Sequence, residues 1–188
     1  EYDMKFASLK AFYTYMMSHP GKKLLFMGQE FAQFIEWDYK KGLDWLLLDY
    51  EAHKNMQNYV AQLNKFYLKS PELWEIDYSW DGFSWISNDD NSQSIISFRR
   101  IDKSGNEIIT VCNFVPVDRE DYRIGVPRAG SYRRIFCSDD AKFGGKTQTA
   151  RSFRSEKIPM HGYENSVALS IPAMSVSYFR VPAGRDKK

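Results

Sequence analysis

A short, wholly apolar run near the start of the chain constrains the possible fold most. Residues 24–27 read Leu-Leu-Phe-Met and lie between Gly21 and Gly28. A continuous apolar run of this length is typical of a strand buried on both faces, as in a parallel sheet. A single βα unit cannot cover both faces of such a strand. We therefore expect residues 23–27 to belong to a larger α/β domain whose earlier part precedes this sequence.

Helical periodicity surrounds this run. Residues 2–18 and 50–69 place apolar side chains at spacings of three and four, which predicts two amphipathic helices. Pro20 and Pro71 follow the two segments and end them. Residues 28–49 form a long connection rich in charged and aromatic side chains. The apolar positions are Tyr2, Phe6, Leu9, Tyr13 and Met16 in the first segment, and Met56, Val60, Leu63 and Tyr67 in the second.

The pattern changes to alternation of apolar and polar residues from about residue 80. Residues 102–106, Asp-Lys-Ser-Gly-Asn, indicate a hairpin turn. Short strands with frequent turn signals predict an antiparallel β-sandwich. We expect Trp85 in its core, and the arginines of residues 99–100 and 133–134 in solvent. The strand candidates are residues 83–85, 96–98, 109–111, 122–126, 132–137, 166–171 and 174–181.

Composition excludes several classes of partner. With 26 basic and 24 acidic side chains, the net charge of +2 gives no reason to expect nucleic acid. No run approaches the roughly 20 apolar residues of a membrane helix, so no membrane partner is expected. Cys112 and Cys137 could form a disulfide, but we favour two buried, reduced thiols of a cytosolic protein. The three histidines are scattered, so neither a metal nor a cofactor is expected.

The string GKKLLFMGQEF at residues 21–31 is the most specific motif of the chain. It resembles the eighth barrel strand of bacterial glycogen branching enzymes in the alpha-amylase superfamily. Gln29 stands where asparagine is also common in that family. Other motifs extend the likeness over nearly the whole chain: Glu36-Trp37, Leu43-Asp44-Trp45, Gly82-Phe83-x-Trp85, Gly105-Asn106-Glu107-Ile108-Ile109, Asn113-Phe114-x-Pro116-Val117, Asp121-Tyr122-Arg123, His161-Gly162 and residues 166–172.

The resemblance implies a mixed α and β fold with two parts. Residues 1–75 would be the terminal segment of a catalytic (β/α)8 barrel, its last helix, strand and helix. Residues 76–188 would be an antiparallel β-sandwich C-terminal domain. The strand at residues 23–27 would then have an unpaired edge, through which the chain alone is expected to self-associate.

The resemblance also implies an activity for the intact enzyme. Branching enzymes cut an α-1,4 glucan and rejoin the piece through an α-1,6 bond by retaining double displacement. Three carboxylates do this chemistry in the family, the last of them in a His-Asp-Glu motif. His19, His53 and His161 are followed by other residues. The chain alone is therefore expected to be inactive, with the remainder of the barrel and α-glucan (glycogen or amylose) as partners, in the cytoplasm.

Four residues are candidates for a role near the substrate. Glu30 and Gln29 follow the predicted strand at the catalytic face of the implied barrel. Glu30 either supports an active-site side chain, the interpretation that we favour, or pairs with a cation to hold the loop. Trp37 and Trp45 either stack on sugar rings at the rim of the site or pin the long loop by packing, and packing is favoured.

Two alternatives to a branching enzyme remain open. The chain could be a non-catalytic polysaccharide-binding β module, which leaves the apolar run unexplained. It could also be the end of another alpha-amylase-type glycosidase, such as a debranching enzyme or an amylase. The motif around residues 28–31 argues against that alternative.

Overall fold

Both predicted helices are present. The computed structural model describes residues 2–148 and 150–184. Helix α1 spans Tyr2–Ser18 and helix α2 spans Glu51–Leu68, which confirms the two periodic segments. The predicted apolar stripe is buried in part, with Phe6 and Tyr13 in α1 and Met56, Val60 and Leu63 in α2. The helices pack against each other and against one face of a sheet.

Among the described residues, eight strands form two antiparallel sheets: β1 Phe83–Asp90, β2 Ile95–Ile101, β3 Glu107–Asn113, β4 Arg119–Val126, β5 Ser131–Cys137, β6 Ser152–Arg154, β7 Asn165–Ile171 and β8 Ser175–Arg180. All seven strand candidates are confirmed, and the turn at residues 102–106 joins β2 to β3. The unpredicted strand is the three-residue β6, which is too short to show a period. The large sheet has the order β1-β2-β3-β8-β5-β6, and the small sheet pairs β4 with β7.

The large sheet is covered on both faces, so the protein has three layers. One face packs against the small sheet, through residues such as Val111 and Phe179 opposite Ile124 and Leu169. The other face packs against α1 and α2. Alternation along each strand sends successive side chains to the two faces, which explains why β3 is buried at every position. The boundary near residue 75 stays a prediction.

The predicted buried strand at residues 23–27 is not found. Among the described residues, this segment joins no sheet. Leu24 is 73% exposed and Phe26 is 47% exposed. A parallel strand requires hydrogen-bonded neighbours and cover on both faces, and the described chain supplies neither. The apolar run therefore lies mostly at the surface, with Leu25 partly buried against the core on the helix side.

Two side-chain predictions for the sandwich are also corrected. Trp85 is half-buried and lies on the helix-facing side of the sheet, where it contacts Phe83 and Phe98, rather than between the two sheets. Arg100 and Arg134 are 0% and 4% exposed, whereas they were expected in solvent. Each guanidinium donates to backbone carbonyl groups, and these bonds offset the loss of water.

Both cysteines are free and buried, as predicted. Burial disfavours the thiolate and raises the pKa of Cys112 and of Cys137. Within residues 2–148 and 150–184, no helix has the length and apolarity needed to span a membrane.

Candidate functional site

The chain between α1 and α2 carries a concentrated set of exposed apolar side chains. We call residues 24–50 the aromatic segment. Single exposed apolar residues are ordinary at a protein surface, whereas a large apolar patch is typical of an interaction site, so this segment is the candidate. The exposed members are Leu24, Phe26, Met27, Phe34, Ile35, Trp37, Tyr39, Trp45, Leu46 and Tyr50.

The aromatic segment begins with a tight turn in unusual backbone geometry. Met27, Gly28 and Ala32 have φ angles of 23°, 84° and 60°. These angles lie at positive φ, where residues other than glycine are rarely found. A short 3₁₀ turn, Gln29–Phe31, lies between them. A Cβ atom at Gly28 would approach Gln33 to 3.0 Å. Glycine is therefore favoured at position 28 by backbone angle and by space.

Side chains from both helices bind this turn. The Tyr13 hydroxyl of α1 donates to the carbonyl oxygen of Gln29 at 3.0 Å. The His53 Nδ1 of α2 lies 2.7 Å from the carbonyl oxygen of Phe31, to which it donates. The other ring nitrogen, Nε2, lies 3.0 Å from the Tyr2 hydroxyl and forms a second hydrogen bond with it. The turn is thus fixed to α1 and α2 by hydrogen bonds.

Gln29 and Glu30 lie within this turn, side by side. The Gln29 side chain is exposed, and its Oε1 accepts from the backbone N–H of Phe26 at 2.8 Å. Glu30 is half-buried. Burial raises the pKa of Tyr13 to about 12, and the nearby Glu30 carboxylate adds to the rise. Glu30 has no hydrogen bond or ion pair with any residue in the part of the chain that the structure describes.

Trp37 and Trp45 each pack on a different phenylalanine. The ring of Trp37 meets Phe26 edge-on with centroids 5.3 Å apart. Trp45 packs on Phe31 with centroids 5.2 Å apart. The side chains remain 40% and 55% exposed. Each indole therefore packs within the segment and also leaves part of its ring surface exposed.

Lys23, the residue before the aromatic segment, has a shifted pKa. Its ammonium group donates to the carbonyl oxygen of His19 and lies 5.8 Å from the centre of the Tyr67 ring. Burial lowers the pKa of Lys23 to about 8, although the neighbouring Asp77 carboxylate opposes that change.

The sequence patterns missed the residues that hold the aromatic segment. Tyr13 and His53 were not candidates, and Gln33, whose Oε1 accepts from the backbone N–H of Asp44 at 2.8 Å, was not one either. His53 precedes Met56 by three residues, so its place on the buried face of α2 could have been read from helical spacing. Among the described residues, no cluster of His, Cys, Asp or Glu could hold a metal ion.

Comparison with known proteins gives one family match and many relatives. Residues 85–182 match the family described as the alpha amylase C-terminal all-beta domain. The chain is 50% identical over 182 residues to the 1,4-alpha-glucan branching enzyme GlgB of Halothermothrix orenii. It is 47% identical over 182 residues to the enzyme of the same name from Aquifex aeolicus. Each match covers 96% of this chain, which spans only about 29% of the length of these relatives.

Solved structures agree on the fold alone. A pullulanase of Group B Streptococcus superposes with a TM-score of 0.62 at 14% identity, covering 94% of this chain and 28% of the pullulanase. The catalytic module of the glycogen-degrading pneumococcal factor SpuA also has a TM-score of 0.62, at 10% identity, covering 95% of this chain and 32% of the module. The arrangement of two helices on a β-sandwich is therefore shared beyond the close relatives.

Proposed function

Because the chain belongs to the family of alpha amylase C-terminal all-beta domains, we propose that it is the C-terminal part of a 1,4-alpha-glucan branching enzyme. One observation carries this proposal. Identity to branching enzymes is 50% and 47% over 96% of the chain, so the likeness reaches well before residue 85, where the family match begins. The fold-sharing pullulanase is only 14% identical.

In this proposal the chain supports a reaction whose catalytic carboxylates lie elsewhere. The intact enzyme transfers a segment of α-1,4 glucan to form an α-1,6 branch, with a carboxylate nucleophile and a carboxylic acid as proton donor. No His-Asp-Glu sequence occurs in the chain. Residues 1–75 supply the last elements of the (β/α)8 barrel, with residues 23–27 as its final strand, and residues 76–188 form the sandwich that supports them.

The aromatic segment would meet the remainder of the barrel, and at its rim the glucan. Leu24 and Phe26 are exposed here because their proposed neighbours belong to that remainder. Trp37 and Trp45 present indole surface suited to stacking on the C–H face of glycogen or amylose. Gln29 and Glu30 would support active-site groups from the turn. A cytoplasmic location is part of the proposal and agrees with the free, buried thiols of Cys112 and Cys137.

A chimeric enzyme tests the proposed function. In the chimera, this chain replaces the matching segment of the Halothermothrix orenii enzyme. The chimera is incubated with amylose, and the change in the iodine stain of the amylose is measured. We expect the chimera to change the stain, because the 50% identity preserves the contacts between the two parts. The chain alone and the relative truncated before the segment should leave the stain unchanged, since neither holds a complete site.

The α-1,6 linkages and the reducing ends of the chimera's product separate the alternatives, because hydrolysis of amylose also changes the iodine stain. A folded chimera that hydrolyses amylose without forming branches would favour another alpha-amylase-type glycosidase. An inactive chimera, together with amylose affinity of the chain alone, would favour a polysaccharide-binding module. Either outcome contradicts the proposal.

Self-association of the chain alone is a second expected result. Exposed apolar side chains of the aromatic segment lose contact with water when two copies meet. Light scattering should therefore show a mass that rises with concentration, and the double substitution L24S and F26S should lower it. Leu68→Ser is the matched control, because Leu68 is 71% exposed but lies outside the segment. A strictly monomeric chain at high concentration would contradict this expectation.

A further inference from the structure

We propose that Tyr13 and His53 are positioning residues that fix the direction of the Glu30 side chain for branching. This inference rests on the proposed function, because it assigns the Glu30 turn a place at the active site. Neither residue belongs to the motifs by which the chain resembles branching enzymes. The two helices provide them independently, one from α1 and one from α2.

The two hydrogen bonds bracket Glu30. Tyr13 donates to the carbonyl oxygen of the residue before it, Gln29, at 3.0 Å. His53 donates to the carbonyl oxygen of the residue after it, Phe31, at 2.7 Å. The Gln29 carbonyl lies in the peptide plane that adjoins the Glu30 Cα atom, and the Phe31 carbonyl lies in the plane between Phe31 and Ala32. Glu30 therefore stands in a short stretch of backbone that α1 holds at one end and α2 at the other, which restricts the direction of its Cα–Cβ bond.

The backbone at this turn needs such support. Met27 and Ala32 lie on either side of the turn with positive φ angles, a conformation that costs free energy for residues with a side chain. Within the turn, the backbone N–H groups of Phe31 and Gln33 both donate to the carbonyl oxygen of Gly28, at 3.3 and 3.0 Å. Bonds from the helices stabilise this conformation against relaxation to an ordinary loop.

Burial excludes a direct role for the two side chains. His53 is 1% exposed and Tyr13 is 4% exposed, so neither can contact a glucan chain. His53 is also enclosed by aromatic rings, with its centroid 5.0 Å from that of Phe6 and 4.9 Å from that of Phe34. Both residues can act on the reaction only through the turn they bind.

Glu30 is a suitable group to be positioned. It is half-buried and forms no hydrogen bond or ion pair with residues 2–148 or 150–184, so its carboxylate is free for a group outside this chain. A positioned carboxylate beside the reacting groups contributes through geometry, and a misplacement of about 1 Å can cost on the order of 100-fold in rate. Losing either hydrogen bond should therefore affect turnover more than glucan binding.

The test uses the intact enzyme that carries this chain, with amylose as substrate. His53→Leu should lower kcat about 10- to 100-fold while KM changes less than about 3-fold, because the interaction affects the transition state rather than uniform binding. His53→Asn should keep kcat within about 3-fold of the unmodified enzyme, because its amide N–H stands near the position of Nδ1. Tyr13→Phe should lower kcat in the same way as His53→Leu.

Hydrogen exchange provides a second readout that needs no activity. The amides of Phe31, Ala32 and Gln33 should exchange faster in His53→Leu and Tyr13→Phe, while the amides of α1 and α2 stay protected. Tyr15→Phe is the matched control, since Tyr15 lies on the same helix but packs against Phe98 and Phe114 of the sandwich side. It should change neither readout.

Two results would overturn the inference. One is unchanged kcat and unchanged exchange in both His53→Leu and Tyr13→Phe. The other is a loss of kcat in His53→Leu that His53→Asn does not restore, with faster exchange throughout both helices, which indicates a purely structural role. If the unmodified enzyme forms no branches, the proposed function fails instead, and the exchange rates alone decide whether Tyr13 and His53 hold the turn.

Discussion

Arg100→Met is expected to lower the free energy of unfolding by about 3–5 kcal/mol, because it breaks a fully buried ion pair. Arg100 is 0% exposed and pairs with Asp77 at 2.9 Å. It also donates to the carbonyl oxygens of Ser18 at 2.8 Å and Gly82 at 3.1 Å. One guanidinium therefore joins the end of α1, the connection after α2 and strand β2. Methionine fills similar space but leaves the Asp77 carboxylate buried without its cation.

Arg99→Met is the matched control, since Arg99 is the neighbouring residue on β2. Its side chain is 21% exposed, and its partner Glu107 keeps a second ion pair with Arg128 at 2.7 Å. We expect Arg99→Met to cost only about 0–1 kcal/mol. Urea unfolding of the two variants measures the difference. Equal losses would show that Arg100 does not join these elements in the way described.

Phe98→Ala is expected to lower the free energy of unfolding by a similar amount, about 3–5 kcal/mol. Phe98 is 0% exposed and lies in β2 on the face that meets the helices. Its ring contacts Tyr15 of α1 and the rings of Phe83 and Trp85, with centroids between 5.3 and 6.2 Å away. Truncation leaves a cavity at the contact between helix and sheet that these large rings cannot fill.

Trp80→Ala provides the control for loss of an aromatic ring. Trp80 is 80% exposed and contacts Phe83 with a centroid distance of 6.1 Å. Removing it should change the free energy of unfolding by about 0.5 kcal/mol or less. Thermal and urea unfolding should therefore show a much larger loss of stability in Phe98→Ala than in Trp80→Ala. A loss from Phe98→Ala as small as that from Trp80→Ala would contradict the continuous core between helices and sheet.

Local periodicity was sufficient to predict most of the regular elements. Spacings of three and four predicted α1 and α2, and alternation predicted every described strand except β6, because the direction of a side chain repeats with the period of its helix or strand. The prediction of a buried strand at residues 23–27 was wrong for a physical reason. Apolarity predicts burial, but the neighbours that would bury this run are not among the described residues.

The candidate site was less predictable than the fold. Gln29, Glu30, Trp37 and Trp45 were recognised from motifs, and their roles stay predictions. The hydrogen bond from His53 to Phe31 joins residues 22 positions apart, so no local pattern contains it. The exposure of Arg100 was predicted wrongly, because two adjacent arginines on a strand are typical of side chains in solvent. Only the convergence of Ser18, Asp77 and Gly82 in space reveals the burial.

Branch points in the product of the chimeric enzyme decide whether this chain is the C-terminal part of a branching enzyme. Amylose is treated with the chimera that carries this chain, and α-1,6 linkages in the product are counted by proton NMR. We expect these linkages to accumulate while the total number of reducing ends stays nearly constant, because each cut bond is replaced by a branch. A folded chimera that raises the number of reducing ends and forms no α-1,6 linkages would show that the chain is not part of a branching enzyme.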